Sequence, residues 1–227
     1  MKRHPLSERS LFIPLSLCAL LASCCTEAPI FEEAASSPGP AEESNPADSL
    51  APRIAAVGEL APNFELKDLN GDVHKLSDYR GKTIVLEWFN PGCPFVVKAH
   101  EDGPLKDMPS AGEDVVWLAI NSGAPGKQGA SPEQNAKSAA DWGMDYPLLF
   151  DPAGTVGKNY KARTTPHMYV IDEDFVLRYA GALDNAPMGN GSGEYANYVQ
   201  GAIEAISKGE ACPEPVSPYG CGVKYAN

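Results

Sequence analysis

The chain has 227 residues, with 18 basic and 30 acidic side chains and a formal net charge of −12. That balance argues against nucleic acid and against a charged membrane surface as partners, because both repel an acidic protein. From about Ala56 onward the length suits one domain with a substantial core, and no internal repeat is visible.

Lys2, Arg3 and Arg9 form a positive start, and residues 11–21 are an apolar stretch too short to span a membrane. Leu21-Ala22-Ser23-Cys24 resembles a bacterial lipoprotein box. The resemblance implies cleavage before Cys24 and a lipid on its sulfur, which would attach the protein to a bacterial cell envelope, facing the periplasm or exterior. A plain secretory signal is the other reading of the same residues. Residues 1–23 are thus expected to be a leader, and 24–55 a lipidated cysteine followed by a tether. The tether is rich in Pro, Ser, Ala, Glu and Asp and shows no apolar period, so it cannot bury enough surface to fold. Without the leader, which carries three basic and one acidic side chain, 15 basic and 29 acidic residues remain.

Residues 56–227 are predicted to alternate strands and helices. Segments 63–67 and 73–76 read as a hairpin across Asn70-Gly71. Residues 83–89 are a buried strand, and Pro94 suits the first position of a helix over 94–101, which stops near Gly103-Pro104. Residues 114–120 form a second buried strand. Ser131, Pro132 and Glu133 open a helix over 131–142. A short strand follows at 146–150, then a hairpin of 167–172 and 175–180 across Glu173-Asp174. The last helix covers 194–208, with Val199, Ile203 and Ile206 on one face and Gly209 as its stop. Strands interleaved with helices predict an α/β fold.

Cys93 is the centre of the chemistry. It follows a strand and a Pro91-Gly92 turn and precedes Pro94, so its sulfur sits at a helix N-terminus, where backbone N–H groups and the helix dipole favour thiolate. A buried structural cysteine is the plainer alternative. Trp88, Phe89 and Cys93 resemble the thioredoxin superfamily, in its redoxin or alkyl-hydroperoxide-reductase-like (peroxiredoxin-like) branch. The resemblance implies a thioredoxin fold, a central mixed sheet flanked by helices, with an N-terminal β-hairpin extension. It also implies a catalytic Cys93. The position of the usual second cysteine is Val96, and Leu86 and Asn90 occupy positions where peroxiredoxins carry Pro and Thr.

Arg163-Thr164-Thr165-Pro166-His167 resembles the family's cis-proline loop. On that likeness Pro166 faces Cys93, and Thr165 and Pro94 contact substrate. Glu87 is the one charge in an apolar strand and matches the family's proton-moving buried carboxylate; a wetter face with a lysine partner is equally open. His100 lies two helical turns beyond Cys93 and reads as a surface or packed residue, and His167 carries little more weight. Arg163 and Arg178 are candidates to stabilise the thiolate. No cofactor is expected, and Cys93 with these histidines gives no metal-ligand spacing.

The tail holds Cys212 and Pro218-Tyr219-Gly220-Cys221, and resembles the C-terminal signature of a redoxin subgroup, as does Gly181-Ala182-Leu183-Asp184-Asn185. Its prolines and glycines forbid a helix. Cys212 and Cys221 are expected either to pair with each other as a structural staple or to supply the resolving thiol through Cys93–Cys221 or Cys93–Cys212, with Cys221 the better candidate because it lies between two glycines. A Cys212–Cys221 staple is preferred, leaving Cys93 to be resolved by an external thiol. The functional expectation is an envelope thiol–disulfide oxidoreductase with one nucleophilic cysteine, acting on protein thiols and disulfides. A peroxiredoxin-like hydroperoxide reductase and a non-catalytic binding module are the alternatives.

Overall fold

The structure is a computed structural model that describes residues 46–226 except 52, 109–113 and 192. The leader, Cys24 and most of the expected tether lie outside the described residues. Strands β1 (Glu65–Asp68) and β2 (Val73–Lys75) form the anticipated hairpin, with Glu65 opposite Lys75. They are followed by β3 (Thr83–Trp88), α1 (Pro94–Glu101), β4 (Val115–Asn121), α2 (Pro132–Asp141) and β5 (Leu148–Phe150). Next come α3 (Thr155–Asn159), the two-residue β6 (Thr164–Thr165), β7 (Met168–Ile171), β8 (Leu177–Gly181), α4 (Tyr198–Lys208) and β9 (Cys221–Gly222).

Seven strands make one sheet in the order β2-β1-β5-β4-β3-β7-β8. β3 runs parallel to β4 and β4 to β5, whereas β7 is antiparallel to β3 and to β8. This mixed sheet is a thioredoxin fold, with β1 and β2 added at one edge as the expected hairpin extension. β3 and β7 are buried on both faces, which is why both read as nearly unbroken apolar runs.

Alternation along β3 divides the core. Ile84, Leu86 and Trp88 pack on one face with Tyr160, Tyr169 and Phe175. Val85 points to the other face with Met168, Val170, Val199 and Ala202, and Phe89 packs there with Val96 and Leu148. The Trp88 indole donates to Ser122 Oγ at 3.0 Å, and that hydroxyl donates to Asp151 Oδ2 at 2.7 Å. Asp151 also accepts from the Gly157 N–H, so one buried polar chain ties β3 to α3.

The helix expected over 194–208 begins at Tyr198 instead, because the Asn197 side chain accepts from Gln200 N–H and caps it there. Ser131 caps α2 in the same way, through Gln134 N–H. α3, β6 and β9 have no counterpart among the predicted elements. Five- and two-residue segments carry too little periodicity to read, and β6 pairs only with a strand 56 residues away.

Candidate active site

Cys93 is the N-cap of α1, in extended conformation, with Pro94 at the first helical position. A turn precedes it, in which the Cys93 N–H donates to the Asn90 carbonyl. The Asn90 side chain holds this turn twice: Oδ1 accepts from Gly92 N–H at 2.8 Å, and Nδ2 donates to the Gln128 carbonyl at 3.2 Å. Gln128 answers with a 2.6 Å bond from Nε2 to the Gly92 carbonyl. A side chain at Gly129 (φ +75°) would collide with Asn90, so the 123–130 loop closes over the corner only because that residue is glycine. Neither Asn90 nor Gln128 was legible as a site residue, since their roles depend on a loop 38 residues away.

The Cys93 sulfur is fully buried and lies 2.9 Å from the Thr165 carbonyl oxygen. The Thr165–Pro166 peptide is cis. Thr165 is also the pairing partner of Cys221: β6 and β9 are antiparallel, with Thr164 opposite Gly222 and Thr165 opposite Cys221. Cys221 joins the cluster of Cys93, Phe89 and Val96, and its thiol is within hydrogen-bonding reach of Cys93.

Burial works against ionisation of Cys93. Hydrogen bonds to the sulfur from the side chains of Thr165 and Cys221 and from the backbone of Val96 and Cys221 outweigh it, and hold the thiol below its ordinary range. Cys221 moves the other way, to about 11, through burial and its bond and proximity to Cys93, with Lys224 opposing.

The preferred Cys212–Cys221 staple is not the arrangement found. All three domain cysteines are free thiols, and Cys212 packs in a separate cluster, 3.7 Å from the Ala202 carbonyl oxygen. Burial raises its thiol. The tail passes Cys212 along α4 and carries Cys221 onward to β6, so the short loop between the two cysteines does not bring them together.

Glu87 is fully buried, and its partner is His100 rather than a lysine: Nε2 lies 3.0 and 3.2 Å from the two carboxylate oxygens. Alternation puts Glu87 on the face of Val85 and Phe89, under α1, and two turns of α1 bring His100 over it. The histidine therefore does not reach Cys93, as its spacing indicated, but completes a buried pair. Its ring stacks on Trp142 at 4.9 Å and meets Phe89, a neighbour of Cys93, edge-on at 5.7 Å. His167 is buried beside Tyr169, whose hydroxyl is 2.9 Å from Nδ1; burial and then Arg163 push its pKa down to about 3. Arg178 is bound to Asp172, so it is not free to serve the thiolate.

The tail is seated by contacts on both sides of β9. Val216 accepts from Ala182 N–H, and Lys224 from Ala124 N–H. The Tyr219 hydroxyl donates to buried Asp184 at 2.7 Å, its ring packs on Phe95 at 5.9 Å, and the Tyr225 hydroxyl donates to Ala162 O at 2.9 Å. The two tail-side signatures, around Asp184 and around Cys221, thus meet through Tyr219. A side chain at Gly220 (φ +127°) would strike the Thr165 carbonyl, so the close approach of β9 requires glycine.

The AhpC/TSA family profile matches residues 57–180. The thiol-disulfide oxidoreductase ResA of Geobacillus kaustophilus is 34% identical over 127 residues, which are 52% of this chain and 65% of that protein, less than two thirds of its length. A putative peroxiredoxin of Mycobacterium tuberculosis is 30% identical over 56% of this chain and 77% of its own. Among solved structures, an uncharacterized conserved protein from Geobacillus kaustophilus superposes with TM-score 0.67 at 31% identity, covering 75% of this chain and 93% of that one. A hypothetical protein from Sinorhizobium meliloti 1021 gives 0.66 at 26%, covering 76% and 96%. With the profile spanning more than half of the sequence and both thiol–disulfide oxidoreductase and peroxiredoxin relatives, the chain belongs to the AhpC/TSA family.

Proposed function

We propose that the protein is a thiol–disulfide oxidoreductase of the cell envelope, with Cys93 as nucleophile and Cys221 as the thiol that completes the redox pair. One observation carries this reading: the Cys93 sulfur, at a helix N-terminus and below its ordinary pKa, faces the Cys221 thiol across Thr165. The family-matched region ends at residue 180, so the second sulfur comes from outside it. It takes the place of the partner that Val96 removes from the helix. Oxidation removes two electrons and two protons as the Cys93–Cys221 bond forms, and these pass to a substrate disulfide, which leaves as two thiols. Pro166 and Thr165 frame the site, Pro94 starts the helix behind the sulfur, and Glu87 with His100 supplies a buried acid–base pair beneath it.

A hydroperoxide is the second candidate oxidant, favoured by the peroxiredoxin relative. In that case Cys93 takes one oxygen as a sulfenic acid, and Cys221 then releases it as water. Against peroxide stands Asn90, at the position where peroxiredoxins carry Thr, with its side chain bound to Gly92 and Gln128. The lipobox-like segment supports a mature chain attached through Cys24, with residues 24–55 as tether and 56–227 as the redox domain.

The test is stopped-flow oxidation of the reduced protein by oxidised glutathione and by hydrogen peroxide, followed by peptide mapping without reductant. A Cys93–Cys221 peptide, formed faster with the disulfide and absent in Cys93→Ser, is the expected result. Faster formation with peroxide would favour the second reading. No linked peptide with either oxidant would overturn the pair.

A further inference from the structure

Besides holding the tail, Asp184 lines a cavity of about 470 Å³ between the C-terminal half of α1 and the loop that leads into α4. Ala99, Pro104, Leu183 and Pro187 give it apolar walls, and the phenols of Tyr195 and Tyr219 line the same space. The Asp184 residue is only 4% exposed, yet no lysine, arginine or histidine pairs with it among the described residues. Oδ1 accepts from the Ala186 N–H at 2.9 Å and from the Tyr219 hydroxyl at 2.7 Å. Oδ2 accepts from the Tyr195 hydroxyl at 3.3 Å, a longer bond to an exposed side chain, and is the oxygen open to a ligand. A buried carboxylate without a positive partner is costly. Lys98, the cation on the rim, is held by Asp102 at 3.1 Å. The C-terminal end of α1 opens on the cavity as well and adds the negative end of its dipole. Apolar and aromatic walls around one unpaired carboxylate suit an alkylammonium or guanidinium with its methylene stem.

Position ties the cavity to the redox pair. Tyr219 stands two residues before Cys221, at most about 7 Å along an extended chain. Its ring packs on Phe95, which stands two residues after Cys93. We infer that the cavity receives a lysine or arginine side chain of the substrate protein, carried within a few residues of the cysteine that exchanges with the Cys93–Cys221 pair. The source of that side chain, a substrate protein rather than a free amine, rests on the redox reading above. The net charge of −12 draws a basic partner to the protein, and the buried carboxylate fixes where one of its cations sits.

Binding and exchange are measured separately on the full chain. In the first arm, N-acetyl-lysine methylamide and N-acetyl-arginine methylamide are titrated into isotope-labelled protein and followed by amide NMR shifts. Saturable shifts at Leu183, Ala186 and Asn197 are expected, with none from N-acetyl-glutamine methylamide. Asp184→Asn keeps an acceptor for the tyrosine hydroxyls and should weaken binding at least about tenfold. Tyr195→Ala, at an exposed position, leaves the Tyr219 bond to Asp184 in place and should weaken binding about two- to fivefold. No saturable shift, or wild-type binding in both variants, would overturn the site and leave the redox pair standing. In the second arm, the reduced chain is oxidised by disulfide-linked dimers of acetylated peptides that carry lysine or glutamine one to three residues from cysteine. The protein pair gives up two electrons and two protons, each dimer leaves as two thiol peptides, and the Cys93–Cys221 peptide is counted. The best lysine dimer should react at least about fivefold faster than its glutamine counterpart, and Asp184→Asn should lose most of that preference. An equal preference in Asp184→Asn would belong to net charge alone and overturn the assignment. Binding of the amides with no lysine preference in exchange would make the ligand a free organic cation and overturn the substrate side chain. Binding with no oxidation by any dimer would support the cation site and sink the redox reading instead.

Discussion

Three thiols on one small domain ionise differently, and in each case the cause is local. Cys93 is helped by hydrogen bonds from Thr165, Cys221 and Val96 that outweigh its burial, whereas Cys212 has burial as the main influence and moves up. Iodoacetamide alkylation should therefore give a Cys93 midpoint below that of a free cysteine and a Cys221 midpoint near 11, measured residue by residue against pH. In Cys93→Ala the bond and charge that raise Cys221 vanish, and its midpoint should fall; an unmoved midpoint would show that burial alone sets it. Glu87 and His100 set a second test at this scale. Glu87→Ala leaves His100 buried without its partner and should cost about 3 kcal/mol in urea unfolding. Glu87→Gln keeps a hydrogen bond, so it should fold nearly as well and still slow exchange at Cys93, the split expected of a proton carrier. Loss of stability without loss of rate would make the pair structural.

Among the elements, β9 has only two residues, as does its partner β6, and the site depends on it. Two residues of strand cannot hold themselves in place, so the tail's other contacts must do so. The Tyr219–Asp184 bond is one of them, and Asp184 is buried. Tyr219→Phe should destabilise by about 1–2 kcal/mol through the weakened satisfaction of that carboxylate. It should also slow Cys93–Cys221 disulfide formation, because the strand would be less often in register. Gly220→Ala attacks the same element from inside. Its Cβ meets the Thr165 carbonyl, so disulfide formation should slow by at least about tenfold while α1 and the sheet persist, as read by circular dichroism. An alanine variant that oxidises at the wild-type rate would mean that β9 need not approach β6 as closely as it does here.

For the molecule as a whole, acid is the informative perturbant. His167 has a folded pKa of about 3 against an unfolded value near 6.5. As pH falls below 6.5 the unfolded chain takes up the proton and the folded one does not, so stability is full above that pH and declines toward 3. The slope from this residue is up to about 1.4 kcal/mol per pH unit. Urea midpoints at pH 7 and pH 4 should differ less in His167→Gln than in wild type, and an equal difference would place the acid sensitivity elsewhere.

How much of this was legible divides along physical lines. Apolar runs, a proline at a helix start, and serine or glycine at helix ends act over a few residues, and they determined β3, α1, β4, α2 and the two hairpins almost to the residue. Cys93 could be placed at a strand-to-helix corner for the same reason, and Glu87 could be singled out as one charge in an apolar strand. Contacts between residues far apart in the chain were not legible. His100 became the partner of Glu87 because α1 crosses β3 at that point, Asn90 became a turn brace because the 123–130 loop folds over it, and α4 started late because Asn197 caps it. The decisive case is the cysteines. Sequence distance favoured joining Cys212 to Cys221, since a short loop closes at little entropic cost. Tertiary structure brought Cys221 to Cys93 instead, because Val216, Tyr219, Lys224 and Tyr225 route the tail along the far side of the site and a glycine lets it touch Thr165. Local chemistry therefore singled out Cys93, and only the packing of the tail decided which sulfur it faces.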